Sequence, residues 1–149
     1  MQTAKHENLI TRGLVQPLDT VRFHNLAAAP LVRRLMAGAD VLPQANQHIA
    51  VHEIRGASWA HRGCCAPHQH EVAEANLLLS WERLVFSILL GEETYAVEAP
   101  ATIYIPPRLL HSANVLEGSG FFIAMLGSGD YNSTFAGPSA SQPPARPPR

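Results

Sequence analysis

Between residues 46 and 126 the apolar positions come in short groups with the two-residue period of a strand. QHIAVHEI (47–54) and ETYAVEA (93–99) alternate, while ANLLLSW (75–81) and RLVFSILL (83–90) are apolar runs of strand length. ATIYIP (101–106), SANVLE (112–117) and GFFIAML (120–126) complete the series. Gly91, Pro100, the Pro106-Pro107 pair, Gly118 and Gly120 punctuate it. Many short strands with frequent turns predict an all-β sandwich or closed barrel. In the first strand, alternation puts His48 and His52 on one face and Ile49 and Val51 on the other. The apolar pair is expected in the core and the histidines on a solvated face, although His48 and His52 are also placed to edge a pocket. Tyr95, Tyr104 and Phe122 are expected in the core.

The flanks differ. Residues 1–45 mix polar and apolar positions around Pro17, Pro30 and Pro43. Within them APLVRRLMAG (29–38) is the best helix candidate, because Leu31, Leu35 and Met36 can share one face and Gly38 can end it. Residues 127–149 are dominated by Gly, Ser, Pro and Ala and predict a disordered tail or linker. The expected organisation is an N-terminal extension with a short helix (1–45), a β-barrel (46–126) and the tail (127–149). No internal repeat is present.

A chain of 149 residues suits one domain with a core of its own. Its net charge of −1 offers no basic stripe for nucleic acid. The longest apolar stretch, Leu84 to Leu90, is broken by Ser87 and is too short to span a bilayer, so no membrane is expected as partner. The start, MQTAKHENLI, lacks the apolar centre of a signal peptide. Cys64 and Cys65 are adjacent, an arrangement that strains a disulfide. Free thiols and no leader lead to the expectation of a cytoplasmic location. A charged fraction of only 15% leaves apolar surface to cover, and a homodimer packed through residues 14–36 is expected.

The chemistry-bearing residues lie inside the strand-rich zone. His68 and His70 are two apart, so on an extended segment both imidazoles point the same way. Glu74 follows after three residues and can supply a carboxylate oxygen. His111 arrives much later, after IPPRLL, whose prolines stiffen its approach. Three imidazoles and a carboxylate suit one divalent ion of Fe, Zn, Mn or Ni. By parity with Glu74, Asn76, Leu78 and Ser80 point inward, making Asn76 a candidate pocket residue. His6, His24 and His61 read as surface residues, and a cysteine near the ligands as a small buried filler.

HQHEVAE, a strand hairpin and then YIPPRLLHSAN resemble the two motifs of the cupin superfamily. His68, His70 and Glu74 match the first motif, and Pro106 and His111 the second, over about residues 60–125. Several turn glycines are replaced. Gly63 is one place from the first motif's glycine, Trp81 and Pro100 stand for two others, and Arg108 stands where the second motif has a glycine. The second motif's closing asparagine falls one place early, at Asn114. The resemblance implies a cupin-like jelly-roll β-barrel with metal held by His68, His70, Glu74 and His111. Arg108 must then take a turn position that often has φ > 0.

The resemblance leaves function open across oxygenases, isomerases, lyases, hydrolases and binding proteins. The expectation is a metal-dependent enzyme of specialised biosynthesis acting on a small polar molecule, with Glu74 as the catalytic acid–base group. One alternative is an accessory domain that binds metal and ligand without turnover. A narrower one is the cupin component of an N–N bond-forming, hydrazine synthetase-like system working with a methionyl-tRNA-synthetase-like partner.

Overall fold

The computed structural model describes residues 5–24, 30–58 and 65–136. Eight strands run through them: β1 (Leu14–Val15), β2 (Leu31–Ala37), β3 (His48–Ala57), β4 (Glu74–Leu79), β5 (Leu84–Leu90), β6 (Glu93–Glu98), β7 (Ala101–Ile105) and β8 (His111–Leu126). All pairings are antiparallel, and the path β1-β2-β3-β8-β4-β7 carries β5 and β6 as a branch from β8. The strand-rich architecture expected from the apolar pattern is the one observed, and it agrees with the jelly roll that the resemblance implies.

The two separate strands expected at 112–117 and 120–126 are one long strand. Its first half pairs with β5 (Leu90↔His111 to Leu84↔Gly118), and its second half lies between β3 and β4. The change of partner occurs at two glycines in backbone conformations that side chains avoid. A Cβ on Gly118 (φ +99°) would stand 1.8 Å from the Arg83 carbonyl oxygen, and one on Gly120 (φ +153°) 2.3 Å from that of Leu79. Glycine is required here by close backbone approach, so these residues bend a strand instead of ending it.

The helix expected over 29–38 is replaced, over the described residues, by β2. Arg33, Leu35 and Ala37 face inward, while Met36 is exposed. The same residues satisfy either period, and pairing with β3, Leu31↔Ile54 through Ala37↔Ile49, decides for strand. An inward-facing arginine hid the alternation. The helical turns among the described residues are short 3-10 turns, such as Glu7–Leu9 and Leu18–Thr20.

The face assignment of β3 is the reverse of the expected one. His48, Ala50, His52 and Ile54 are buried, whereas Ile49 and Val51 are half-buried. Tyr95 and Tyr104 are exposed, since they stand on the outer faces of β6 and β7, while Phe122 is buried. The apolar core gathers Ile54, Leu78, Leu84, Phe86, Ile88, Ile103, Ile105, Val115 and Phe122, with Phe86 and Phe122 stacked at 4.8 Å. Buried polar groups, among them Arg33, His48, His52 and Asn76, share the rest of the interior with apolar residues such as Leu18, Phe23 and Leu35.

Candidate metal centre

His68 and His111 face each other across an antiparallel bridge. His68 N donates to His111 O (3.0 Å) and His111 N donates to His68 O (2.9 Å). His70 is fixed from two directions: Arg108 N donates to His70 O (2.7 Å), and His70 bridges Phe135 from the C-terminal segment. Glu74 opens β4 and His111 opens β8. Arg108 does adopt a left-handed conformation (φ +67°), as its place in the motif requires, and its guanidinium forks onto Glu71 at 2.9 and 3.2 Å. Asn114, one place early in the motif, accepts from Cys65 N (2.9 Å) and donates to Cys65 O (3.1 Å). It thereby anchors the chain just ahead of His68.

The outer nitrogen of each imidazole is tied to an oxygen. His68 Nδ1 lies 2.7 Å from Ala66 O, His111 Nδ1 2.8 Å from Leu109 O, and His70 Nδ1 2.9 Å from Thr134 Oγ1. A carbonyl only accepts, so Nδ1 carries the proton in His68 and His111. Thr134 donates its own hydroxyl proton to Tyr131 O (2.7 Å), so it accepts from His70. In the neutral imidazole this leaves the lone pair on Nε2, the tautomer a metal ligand needs. Asn76 Nδ2 donates to Glu74 Oε1 (2.9 Å) and leaves Oε2 for the centre.

These four residues are buried, with 2 to 7% exposure, and their candidate ligand atoms lie within 4.8 Å of one another. His70 Nε2, His111 Nε2 and Glu74 Oε2 are sealed from solvent without a hydrogen-bond partner. Glu74 Oε2 is 2.9 Å from His111 Nε2 and 3.7 Å from His70 Nε2, but neither contact is aligned as a hydrogen bond. Buried acceptors converging on one point are unfavourable unless something positive sits among them. A cation satisfies all of them at once, so the residues present fit a metal ion.

The electrostatics agree. Burial pushes His70 down to about 3, with neighbouring imidazoles adding to the effect, and holds His68 well below its ordinary value. Both are neutral near pH 7, as ligands must be. Burial raises the Glu74 carboxyl, but its contacts with His111 and Asn76 outweigh this and hold it below the usual carboxylate range. The cluster thus presents the neutral imidazoles of His68 and His70 beside an anionic Glu74.

A cavity of about 40 Å³ opens beside the ligands, with apolar walls that include Leu18, Leu31, Phe86 and Phe122. His52 and Asn76, the pocket candidates, both line it. Cys65, half-buried, also lines it, with Sγ 3.8 Å from His68 Nδ1, while Cys64 and His61 lie outside the described residues. His24, expected on the surface, is buried against the site at 6.1 Å from the His68 ring, whereas His6 is exposed.

Sequence reasoning missed Arg33, Tyr131 and Thr134, while His48, weighed with His52 as a pocket edge, lines the cavity. Arg33 donates from Nε to Gln16 Oε1 (2.9 Å), from Nη1 to His52 Nε2 (2.9 Å) and from Nη2 to His48 Nε2 (3.0 Å). Tyr131 stacks on His48 at 4.3 Å. Residues 127–136, expected to begin a disordered tail, cover this end of the barrel. Phe135 packs on His70 at 4.7 Å, Ala136 N donates to Gln69 O (3.0 Å), and Thr134 is 3% exposed. The expected tail from 137 to 149 lies outside the described residues. Only the aromatic pair Tyr131 and Phe135, within an otherwise small and polar stretch, signalled burial.

No protein-family model matches the sequence, and no curated protein matches it as a relative. Solved structures do match. An RmlC-like cupin from Shewanella frigidimarina aligns over 74% of this chain and 85% of its own, at 14% identity and a TM-score of 0.50. A cupin 2 domain-containing protein from Halorhodospira halophila aligns over 78% of this chain and 68% of its own, at 15% identity and a TM-score of 0.53. The chain has a cupin fold. Oxalate decarboxylase of Bacillus subtilis, a protein with Mn(II) centres, is also similar over 83% of this chain and 30% of its own length, at 18% identity and a TM-score of 0.52. At such identities the likeness is one of fold. No helix among the described residues is long and apolar enough to cross a membrane.

Proposed function

We propose that this cupin holds one divalent metal ion on His68, His70, Glu74 and His111 and is a metal-dependent enzyme acting on a small polar molecule. The observation that carries the reading is the set of three sealed, unpartnered ligand atoms, combined with a fixed Nδ1–H tautomer on every histidine of the cluster. The donor set suits Fe, Mn, Ni or Zn. When bound, the ion supplies Lewis acidity to a substrate atom held in the adjoining cavity. The residues of the chain do the remainder. Apolar walls exclude water, and Asn76 orients the Glu74 carboxylate. Glu74 is the only carboxylate among the described lining residues, so a proton taken from substrate inside the cavity goes to its carboxylate.

The accessory reading, binding without turnover, draws on a specific observation. No second acid–base group near neutrality lines the cavity among the described residues whose shifts are resolved: burial lowers His24 and His48 to about 4 and raises the Tyr131 phenol. The narrower N–N bond-forming reading adds a partner enzyme, which the neighbouring genes would identify. The test begins with elemental analysis. Wild type should carry about one metal per chain, and His70→Ala should lose most of it because the shell is then incomplete. Wild type that neither contains nor takes up metal refutes the proposal. With candidate substrates from neighbouring genes, Glu74→Gln at restored metal occupancy should form little product. Equal product from both proteins removes Glu74 as base, and binding without product from wild type favours the accessory reading.

A further inference from the structure

Trp81 is the most exposed large apolar side chain among the described residues, at 90%. It stands in the turn between β4 and β5, where the first cupin motif has a glycine, yet its backbone takes no left-handed conformation. Neither burial nor turn geometry therefore accounts for a tryptophan here. The turn that carries it is rigid. Ser80 Oγ donates to Ser119 O (2.6 Å) and accepts from Glu82 N (3.0 Å). Ser119 is fixed in turn, since its N donates to Arg83 O (2.8 Å) and its Oγ accepts from Gly56 N (2.8 Å). The Phe121 ring meets the indole edge-to-face at 5.9 Å. One exposed apolar side chain is ordinary on a protein surface, but this one borders a cavity.

That cavity, about 160 Å³, is lined by Glu53, Ile54, Trp81, Glu82, Ser119 and Phe121 and shares no lining residue with the chamber at the metal cluster. Glu74 opens β4 and Leu79 closes it, so Trp81 lies beyond the far end of that strand, roughly 17 Å or more from the cluster. The two carboxylates of its wall differ in standing. Glu53 is held by Arg34 (3.0 Å) and Arg55 (2.9 Å), and the nearby Arg83 is taken by Glu98 and Glu117. Among the described residues no basic side chain pairs with Glu82. The cavity therefore offers an open aromatic face, an aliphatic wall and one uncompensated negative charge. Its volume takes one ring-sized group. A cation with an apolar skin satisfies all three features. The face of an indole attracts positive charge more strongly than any other aromatic side chain, and Glu82 supplies the opposite charge. Alkyl groups on the cation suit Ile54 and Phe121. A neutral ligand leaves Glu82 unused, and an anion is repelled by it.

We propose that the cavity beside Trp81 binds the alkylated ammonium group of a small molecule, with Trp81 and Phe121 as its aromatic wall and Glu82 as its counter-charge. This site is independent of the metal reading.

The test follows the full chain by proton–nitrogen correlation NMR, with the indole N–H signal of Trp81 assigned by its absence from Trp81→Phe. Choline chloride is titrated against sodium chloride at equal ionic strength, and against dimethylbutanol, the uncharged isostere of choline. Choline should shift the Trp81 indole and the Ser119 and Gly120 amides, and the alcohol should bind at least about 5-fold more weakly. Trp81→Ala, followed through those two amides, should weaken choline by about 5-fold or more, and Trp81→Phe should recover part of the loss. Glu82→Gln should weaken it by about 2–5-fold and flatten its dependence on salt. Both side chains are exposed, so the variants should melt with wild type. Should Trp81→Ala fail to fold, the comparison of choline with the alcohol on wild type decides the matter. Equal binding of choline and the alcohol overturns the proposal, as does a choline response that spares the Trp81 indole. Folded Trp81→Ala or Glu82→Gln with wild-type choline affinity overturns it as well.

Discussion

Replacing Thr134 with valine tests whether the C-terminal segment is part of the metal centre. Valine keeps the shape of threonine and removes its hydroxyl. In the folded protein that hydroxyl accepts from His70 Nδ1 at 2.9 Å and donates to Tyr131 O at 2.7 Å. Thr134 and His70 are 3% and 2% exposed, so water has little access to replace either bond. Leaving a buried donor unsatisfied costs about 1–3 kcal/mol. His70 can escape that penalty by moving its proton to Nε2, but Nε2 then points an N–H at the cluster and ceases to be a ligand. Either way metal binding weakens. Loss of an outer hydrogen bond to a ligating histidine reduces affinity about 10–100-fold. Competition with a chromophoric chelator at neutral pH measures this, alongside melting of the metal-free protein. Thr134→Val should fall in that range, and Thr134→Ser, which keeps the hydroxyl, should recover most of the affinity. Truncation after Ser133, harmless by composition alone, should behave like the valine variant or worse. A valine variant with affinity within about twofold of wild type would refute the reasoning, because the tautomer would then not depend on Thr134.

The remaining predictions concern the frame around the site. Gly118→Ala should destabilise by about 3 kcal/mol or more, or fail to fold, since its Cβ meets backbone at 1.8 Å; Gly56→Ala, at φ +65° with nothing within 4 Å, should lose only about 1–2 kcal/mol, and equal melting temperatures for the two would contradict this. Burial lowers His24 and His48 from 6.5 to about 4, so the unfolded chain binds protons that the folded chain refuses between those values. Their contribution is therefore fully present above about pH 6.5 and is lost as pH falls toward 4, at about 1.4 kcal/mol per pH unit for each histidine. Melting of metal-free protein from pH 8 to 4 should show that decline, and His48→Gln should make it shallower; a flat profile would count against it. Leu14, Val15, Val32 and Met36 are exposed on β1 and β2, and we expect this face to join two copies in a homodimer; light scattering giving the monomer mass at micromolar concentration would refute it.

Much of the site could be read along the chain because its ligands obey local rules. His68 and His70 share a direction because extended backbone alternates, Glu74 follows within reach, and a proline-stiffened turn delivers His111. The strand-rich zone was legible for the same reason, since a two-residue period is written in adjacent positions. Arg108 at φ +67° also followed from its place in the motif.

What failed were judgements that depend on which face finds a partner. LVRRLMA satisfies a helical and a strand period equally, and only pairing with β3 made it β2. Once β2 was a strand, Arg33 pointed inward, and the histidine face of β3 became the interior because it could donate acceptors to that guanidinium. By hydropathy alone Ile49 and Val51 should have been buried instead. The bend at Gly118 and Gly120 depends on carbonyls of Arg83 and Leu79, distant in sequence and close in space. Thr134 matters because the chain returns after β8 and sets a hydroxyl against His70, a contact 64 residues long in sequence with no periodic signature. Local alternation thus determined which residues could become ligands. Burial, tautomer and charge came from long-range packing, because desolvation and hydrogen bonding act between groups that only the folded barrel brings together.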